Sequence, residues 1–236
     1  MQLFYHSEAQ HKNQALVFDK EESRHIVKVL RKSVGSILNI TNGLGKFFIS
    51  EIVVANPNKC SVLLTEVTEQ APLPYQLHLA VAPTKLNDRY EWFLEKATEI
   101  GITEITPVFC KHSERTKIKP ERYEKILQSA MKQSLKAYLP KLNKAVSFSE
   151  FIALQSQNSA QKYIAHCAEG EKNSLKAVIK PKDDVLVLIG PEGDFALREI
   201  DLALQHHFIP VSLGESRLRT ETAAIVACHS VAFVNE

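Results

Sequence analysis

The sequence has few features of an extracellular or membrane protein. Its 236 residues include four cysteines, at positions 60, 110, 167 and 228, and no C-x-x-C pair. Such spacing favours reduced thiols over a disulfide framework or a zinc site. No apolar run approaches the roughly 20 residues that a membrane-spanning helix needs. Residues 1–10 also lack the basic and apolar regions of a signal peptide. We expect a cytoplasmic protein with no membrane partner.

Glycine and familiar catalytic motifs are scarce as well. The chain has eight glycines and contains no G-x-G-x-x-G, no G-x-x-x-x-G-K-[ST] and no G-x-S-x-G. These absences argue against a Rossmann dinucleotide site, a P-loop and a serine hydrolase elbow. Cys110 and His112 offer two metal ligands at most, so we expect no metal. Hydrophobic residues make up 44% and charged residues 24%, which is typical of a folded protein of one or two domains.

Charge is nearly balanced overall, at +2, but it is unevenly distributed. Residues 111–144 contain ten Lys or Arg and three Glu. Such a segment is either a solvated helix face or a surface that contacts phosphates, because lysine and arginine that neutralise phosphates release counterions. Both interpretations stay open at this point.

Residues 1–70 have the pattern of a small β-domain. Two turns, at 42–45 and 56–59, separate the apolar-rich segments 36–41, 46–55 and 60–68, which predicts two consecutive β-hairpins. A helix is predicted at 21–31, where apolar residues follow an acidic first turn. A sheet this small must curl to bury one face, so we expect a small β-barrel. The proline-containing segment 71–74 is the predicted linker.

From residue 75 onwards, strand and helix patterns alternate. The apolar run Val185–Ile189 is typical of a strand that is buried on both faces. The region 75–236 is therefore predicted to be an α/β domain with a mostly parallel sheet. The predicted strands are 77–82, 105–109, 163–166, 185–189 and 209–213, and the predicted helices are 88–100, 121–138, 197–206 and 221–234.

Two glycine-containing loops follow predicted strands of this domain. One is 190–195 (GPEGDF) and the other is 212–222 (SLGESRLRTET). In open α/β sheets, ligands bind at the carboxyl ends of strands, and glycine lets a ligand approach the backbone closely. Either loop alone could be an ordinary turn, but their succession favours a shared ligand site. The final helix is apolar nearly all round, so it must be buried in the core or against another subunit.

These loops resemble the two C-terminal signatures of SPOUT-class RNA methyltransferases, and most closely those of the RsmE family. The match is carried by Gly190-Pro191-Glu192-Gly193, then Leu213-Gly214, then Leu218-Arg219-Thr220-Glu221-Thr222-Ala223. It extends almost from end to end of the chain. Further matching positions are Val29-Leu30-Arg31 with Gly35, then Lys85, Arg89, Glu91, Lys96 and 98–101, and finally Ala130, 133–134 and Pro140.

The resemblance implies a fold, a cofactor and partners. The fold would be an N-terminal PUA-like β-barrel and a C-terminal SPOUT α/β domain with a deep trefoil knot. The protein would be a homodimer that uses S-adenosylmethionine to methylate N3 of a uridine in 16S ribosomal RNA of the small subunit. The residues implied to bind the cofactor are Gly190, Glu192, Gly193, Leu213, Gly214, Leu218 and Thr220.

The implied chemistry assigns roles to charged residues. Loss of the N3 proton puts negative charge on the uracil oxygens, so Arg219 is the candidate that stabilises it. Glu221 is a candidate base, although its position in the first turn of a helix equally suits a structural role. The candidate RNA-binding residues are Arg31, Lys85, Arg89, Arg115, Lys117 and Lys132.

Two positions depart from the family pattern. Residue 194 is Asp where the family usually has a second glycine, and Ser216-Arg217 replaces the commoner Arg-Ile. We expect Asp194 to cap the following helix by accepting from the N–H of Ala196 or Leu197. The alternatives to uridine-N3 methylation are 2′-O-ribose methylation by the same fold and a non-catalytic RNA-binding factor in ribosome assembly.

Overall fold

A computed structural model describes residues 2–236, which divide into two compact units. The first unit runs to Pro72 and also includes Gln128–Leu139. The second unit comprises Leu73–Leu127 and Pro140–Glu236. A segment distant in sequence thus belongs to the N-terminal unit. The linear division at 71–74 stays a prediction.

The first unit contains one five-stranded sheet. Its strands are β1 (Leu3–Tyr5), β2 (Ala15–Val17), β3 (Ile37–Thr41), β4 (Lys46–Val54) and β5 (Ser61–Glu69). Their order is β1-β3-β4-β5-β2, with β1 parallel to β3 and every other pair antiparallel. The two predicted hairpins, β3–β4 and β4–β5, are confirmed.

This sheet curls until its two edges meet. In a flat sheet of five strands the edge strands would lie about 19 Å apart, because neighbouring strands are about 4.8 Å apart. Instead, Phe4 of β1 lies 6.0 Å, between ring centroids, from Phe18, which directly follows β2. Register shifts between β4 and β5 add curvature. The single apolar core inside includes Ile26, Ile40 and Leu64, in agreement with the predicted small barrel.

The helix predicted at 21–31 is shorter and irregular. Helix α1 (Lys20–Arg24) begins where Asp19 accepts a hydrogen bond from the backbone N–H of Glu22. It continues as one π-helical turn, His25–Val29, which ends before residue 30. Arg31 has a φ of 55°, and this left-handed conformation ends the helix.

The segment that completes the first unit attaches to the first hairpin turn. Helix α3 spans Pro120–Gln133, so the prediction that it would reach residue 138 is wrong. After the helix, the carbonyl of Ala137 accepts from the N–H of Gly45 at 2.9 Å, and the N–H of Leu139 donates to Gly43 at 2.9 Å. The backbone beyond the helix therefore bonds to the hairpin turn, which a continuing helix would prevent. Gly45 has a φ of +96°, and a Cβ there would lie 2.4 Å from the hydroxyl oxygen of Tyr138.

The second unit is built on an eight-stranded sheet in which every pair is parallel. The strands are β6 (Leu77–Val81), β7 (Glu104–Phe109), β8 (Lys141–Leu142), β9 (Val146–Ser147), β10 (Gln161–Ala165), β11 (Asn173–Ser174), β12 (Val185–Ile189) and β13 (Ile209–Ser212). Their order is β11-β13-β10-β12-β6-β7-β8, and β9 also pairs with β7. Strand β12 is buried along its whole length, as its apolar run predicts.

Helices pack around this sheet. Helix α2 (Asn87–Ile100) ends at Gly101, whose φ is 139°, and it packs against α7 (Thr220–Val234). Helices α4 (Phe148–Leu154) and α6 (Leu197–Gln205) contribute to a core beneath β12, and α5 (Leu175–Val178) is short. The α/β class with a mostly parallel sheet is confirmed, whereas the knot stays a prediction.

Within residues 2–236, no helix is both long enough and apolar enough to cross a bilayer.

Candidate active site at the carboxyl ends of the parallel strands

Three strands of the second unit end at the same level. Ala165 at the end of β10 is in register with Ile189 of β12 on one side and with Val211 of β13 on the other. The sheet order therefore places β10 between the two strands that carry the glycine loops. Three loops leave this edge together: the GPEG loop (190–196), the LGESR loop (213–219) and the HCAEG loop (166–172).

The GPEG loop is held by contacts at both of its sides. The carbonyl of Gly190 accepts from the hydroxyl of Thr220 at 3.0 Å. A Cβ at Gly190 would lie 3.0 Å from the ring of Phe195, so a larger residue there would require the ring to shift. Glu192 Oε1 accepts from the backbone N–H of Lys85 at 2.9 Å. The loop is thus built into its surroundings before any ligand arrives.

Asp194 does not cap the following helix, so that prediction is wrong. Its Oδ2 accepts from the N–H of Cys167 at 2.8 Å, and its Oδ1 accepts from the N–H of Phe195 at 2.8 Å. The residue has a φ of 60°, which directs its carboxylate to the neighbouring HCAEG loop. The first turn of α6 is instead satisfied by Glu199, whose Oε2 accepts from the N–H of Ala196.

Two adjoining cavities lie among these loops. The smaller, which we call the GPEG cavity, has a volume of about 250 Å³, and the larger, the LGESR cavity, about 480 Å³. They share five lining residues: Ala165, Cys167, Arg217, Leu218 and Ala223. We therefore treat them as two compartments of one site.

The predicted site residues are distributed between these compartments. Leu218 lines both cavities, while Leu213 and Gly214 line the LGESR cavity alone. Four of the predicted site residues line the GPEG cavity and not the other: Gly190, Glu192, Arg219 and Thr220. Gly193 lines neither, because it packs against His112, and a Cβ there would lie 3.0 Å from the Cβ of His112. The two predicted loops thus lie at one edge of the sheet, while their role in binding a ligand stays a prediction.

Unsatisfied polar atoms concentrate at this edge. Three buried side-chain atoms in the part of the chain that the structure describes have no hydrogen-bond partner: His166 Nδ1, Glu192 Oε2 and Glu221 Oε2. A buried polar atom without a partner costs about 1–3 kcal/mol, so each such atom in a folded protein calls for an explanation. All three belong to the three loops or to the first turn of α7. A ligand in the cavities described above could satisfy those of His166 and Glu192, whose side chains line them.

Burial and a neighbouring lysine both affect the pKa of His166. Its side chain lines the LGESR cavity together with Lys172. Burial, and secondarily the charge of Lys172, lowers the pKa of His166 below its ordinary value of 6.5. The imidazole is therefore neutral at pH 7 and can accept or donate a hydrogen bond.

In the part of the chain that the structure describes, Glu221 lines neither cavity. It is 7% exposed, and its Oε1 lies 3.8 Å from Nε of Arg89 on α2. Arg89, a predicted RNA-binding residue, is thus paired with the predicted base. The roles of both residues stay predictions.

Other predicted RNA-binding side chains make contacts within the protein. Arg115 donates to the carbonyl oxygens of Thr84 and Lys85 at 3.0 and 2.9 Å, and the Lys85 ammonium pairs with Glu114 at 2.7 Å. In the first unit, Lys132 lies 3.5 Å from Glu22. Arg31 and Lys117 are exposed.

The sequence prediction missed the HCAEG loop. Ala165, His166, Cys167 and Lys172 all line the site, yet this loop has neither of the motifs that drew attention to its neighbours. The strand before it was predicted, and carboxyl ends of parallel strands share one edge. That rule, applied to every predicted strand, would have identified the loop.

Two family models match the chain. An RNA methyltransferase domain matches residues 71–232, and an RNA methyltransferase PUA domain matches residues 18–65. The first match covers more than half of the chain and includes every loop of the site. The chain therefore belongs to the RNA methyltransferase family.

Relatives place it more narrowly. Ribosomal RNA small subunit methyltransferase E of Buchnera aphidicola (subspecies Acyrthosiphon pisum) is 30% identical over 218 residues, which cover 89% of this chain and 85% of the relative. A crystal structure of a "probable rRNA-methyltransferase" from Porphyromonas gingivalis has a TM-score of 0.91 at 40% identity, and the match covers 100% of this chain and 98% of the other.

A third relative carries a cofactor. The crystal structure of ribosomal RNA small subunit methyltransferase E from Neisseria gonorrhoeae, bound to S-adenosyl methionine, has a TM-score of 0.88 at 25% identity, and covers 100% and 98% of the two chains. The sequence-based assignment to the RsmE family, with its PUA-like unit and SPOUT α/β unit, is confirmed by these matches.

Proposed function

We propose that this protein transfers a methyl group from S-adenosylmethionine to N3 of a uridine in 16S ribosomal RNA of the small subunit. One observation carries the proposal. Three loops at one sheet edge enclose two joined cavities, and the buried polar atoms without partners in the described chain lie in these loops or at the start of α7. The names of the relatives and the cofactor in one of them support the reaction and its substrate.

The residues of the site fit S-adenosylmethionine. Ligand cavities of this kind combine apolar walls with a few placed polar groups, and here Leu213 and Leu218 supply apolar contact while His166 Nδ1 offers an unsatisfied polar atom. Gly190, Glu192, Gly193, Gly214 and Thr220 are the further proposed cofactor residues. Gly193 would act indirectly, by letting the GPEG loop pack on His112. When bound, the cofactor supplies a methyl group on a positively charged sulfur.

The protein must prepare the target nitrogen. Uracil N3 carries a proton, and its loss leaves negative charge on the ring oxygens. Arg219 lines the GPEG cavity, where its guanidinium, which has donors only, can stabilise that charge. Glu221 is buried and has one unpartnered oxygen, so it remains a candidate base.

RNA would be held in each unit by basic side chains. We propose Arg31 and Lys132 in the first unit, and Lys85, Arg89, Arg115 and Lys117 in the second. Contacts of this kind are mostly to phosphate and give affinity without choice of sequence. Arg115 would act mainly by fixing the backbone of residues 84–85, since its guanidinium already donates there.

We also propose that the protein acts as a homodimer in the cytoplasm. Helix α7 buries Ala224, Ala227, Cys228 and Val231 within its own subunit, yet Phe233 is 64% exposed. We propose that the exposed part of this apolar helix contacts a second copy, because a helix that is apolar nearly all round needs a covering surface. The cytoplasm is where a ribosomal RNA substrate would be met.

The direct test is incubation with radiolabelled S-adenosylmethionine and small ribosomal subunits that lack the modification, followed by nucleoside mass spectrometry. We expect label in 3-methyluridine. Label on a ribose would replace the proposed chemistry with 2′-O methylation. Absence of label, with cofactor bound, would require a different RNA.

A further inference from the structure

The GPEG cavity contains an unused proton acceptor. Two carboxylates line it, those of Glu192 and Asp194. Both oxygens of Asp194 already accept backbone N–H groups. Glu192 Oε1 accepts from Lys85, but its buried Oε2 has no partner among the described residues. Glu192 Oε2 is therefore the carboxylate oxygen here that is left for a ligand.

Two other side chains that line this cavity can only donate hydrogen bonds. They are Arg217 and Arg219, and a guanidinium has five N–H donors and no acceptor. The cavity thus combines the unpartnered carboxylate oxygen of Glu192 with two guanidinium donors. The Watson–Crick edge of uracil has the complementary pattern, with the N3–H donor between the O2 and O4 acceptors. Cytosine has an acceptor at N3, which a carboxylate would repel.

Building on the proposed function, we propose that Glu192 faces the target base, selects uracil through its N3–H, and removes that proton. The N3–H bond breaks and the proton goes to Glu192 Oε2. The electron pair left on N3 forms the new N–CH₃ bond, while the methyl–sulfur bond breaks and its electron pair stays on sulfur. This moves Glu192, which is named above among the proposed cofactor residues, to the substrate, and it replaces Glu221 as the candidate base.

The geometry favours Glu192 over Glu221 for this role. Glu192 lines the cavity in which Arg219 lies, whereas Glu221 is outside the lining and lies 3.8 Å from Arg89. The bond from Lys85 N–H to Oε1 also fixes the carboxylate in the loop. A base must be held within reach of the proton that it takes, and an anchored carboxylate meets that need.

Glu192→Gln tests the proposal because the amide keeps an oxygen for the Lys85 N–H and keeps the shape of the side chain. We expect S-adenosylmethionine affinity, measured by calorimetry, to stay within about threefold, since general bases act on the rate. Methyl transfer to unmodified subunits at pH 7 should fall about 100-fold or more. The remaining rate should rise steeply with pH, because N3–H must then ionise to solvent without help.

Two further variants make the outcome decisive. Glu124→Gln, at an exposed position of α3, should behave as the wild type. If Glu221→Gln shows the pH-dependent loss and Glu192→Gln does not, the proposal is overturned. A loss of cofactor affinity in Glu192→Gln that accounts for the lost rate would also overturn it. If the wild type itself makes no 3-methyluridine, the proposed function fails first, and the two failures are thereby distinguished.

Discussion

The two edges of the parallel sheet both carry polar clusters, and they differ in how those clusters are satisfied. Near the amino ends of β6 and β7, His78 Nε2 lies 2.7 Å from Thr106 Oγ1, and Asn143 donates to both Thr106 and Glu104. Lys141 pairs with Glu104 at 2.9 Å. At the carboxyl edge, His166 and Glu192 each have a buried atom with no partner.

The difference separates structure from function. A polar network whose members bond to one another stabilises a unique arrangement of the chain. Polar atoms that stay unsatisfied within the described chain cost stability, so each of them calls for a partner such as a ligand or a water molecule. The comparison therefore supports a structural role for the amino edge and the proposed ligand site at the carboxyl edge.

Among the variants that test this comparison, Arg219→Ala is expected to have the largest effect, a loss of methyl transfer. The side chain is exposed, so the free energy of unfolding should change little. Methyl transfer should fall about 10²–10³-fold because a donor to the developing negative charge is lost. Turnover with unmodified subunits measures this, with Arg198→Ala on α6 as the matched control. Wild-type turnover in Arg219→Ala would remove this residue from the mechanism.

The free energy of unfolding should depend on pH through His78, near the amino edge of the sheet. Burial is the main cause that lowers the pKa of His78 from 6.5 to about 4. The unfolded chain therefore takes up this proton at higher pH than the folded chain does. The stabilisation is complete above pH 6.5 and is lost as the pH falls towards 4. It corresponds to about 3 kcal/mol.

Urea unfolding at pH 7 and pH 4.5 measures that loss. His78→Asn serves as the reference, because asparagine does not titrate in this range. The stability difference between wild type and His78→Asn should narrow as the pH falls. A difference that is independent of pH would exclude His78 as the titrating group.

A smaller effect is expected for Thr220→Val at the carboxyl edge. The substitution leaves the carbonyl of Gly190 without the hydroxyl that donates to it at 3.0 Å. We expect a loss of about 1–3 kcal/mol in the free energy of unfolding, together with weaker cofactor binding. Thr222→Val, two residues further along α7, is the control and should leave cofactor affinity unchanged. Equal behaviour of the two variants would contradict the assigned contact.

The smallest effect is expected at Asp194. Asp194→Ala removes the acceptor that joins the GPEG and HCAEG loops. Cofactor affinity should weaken about fivefold, or about 1 kcal/mol. Asp194→Asn should stay within about twofold, because asparagine keeps an acceptor oxygen and tolerates positive φ. Calorimetry compares the two, and equal loss in both would show that the carboxylate charge matters more than the hydrogen bond.

Much of the fold could be predicted because local patterns determine it. The run Val185–Ile189 and the turns at 42–45 and 56–59 depend on burial and on backbone preferences of single residues. The end of α3 could not be predicted, since it depends on hydrogen bonds that join Ala137, as acceptor, and Leu139, as donor, to a turn more than 90 positions earlier.

The candidate site could be predicted at the two loops that carry recognised motifs, and it could not be predicted at the HCAEG loop, which carries neither motif. Glu192 lies in a motif, but which of its oxygens lacks a partner depends on the backbone of Lys85, more than 100 positions away. The HCAEG loop became part of the site because β10 lies between β12 and β13. Strand order is a long-range property, and no local pattern reports it.

The segment Gln128–Leu139 also has a consequence for biosynthesis. Domains generally fold as the chain leaves the ribosome, N-terminal first. Here the barrel unit needs Ala137 and Leu139 to close the turn around Gly43 and Gly45. The first unit to be translated therefore cannot finish folding until residue 139 has emerged, when strands β6 and β7 of the second unit have already been synthesised.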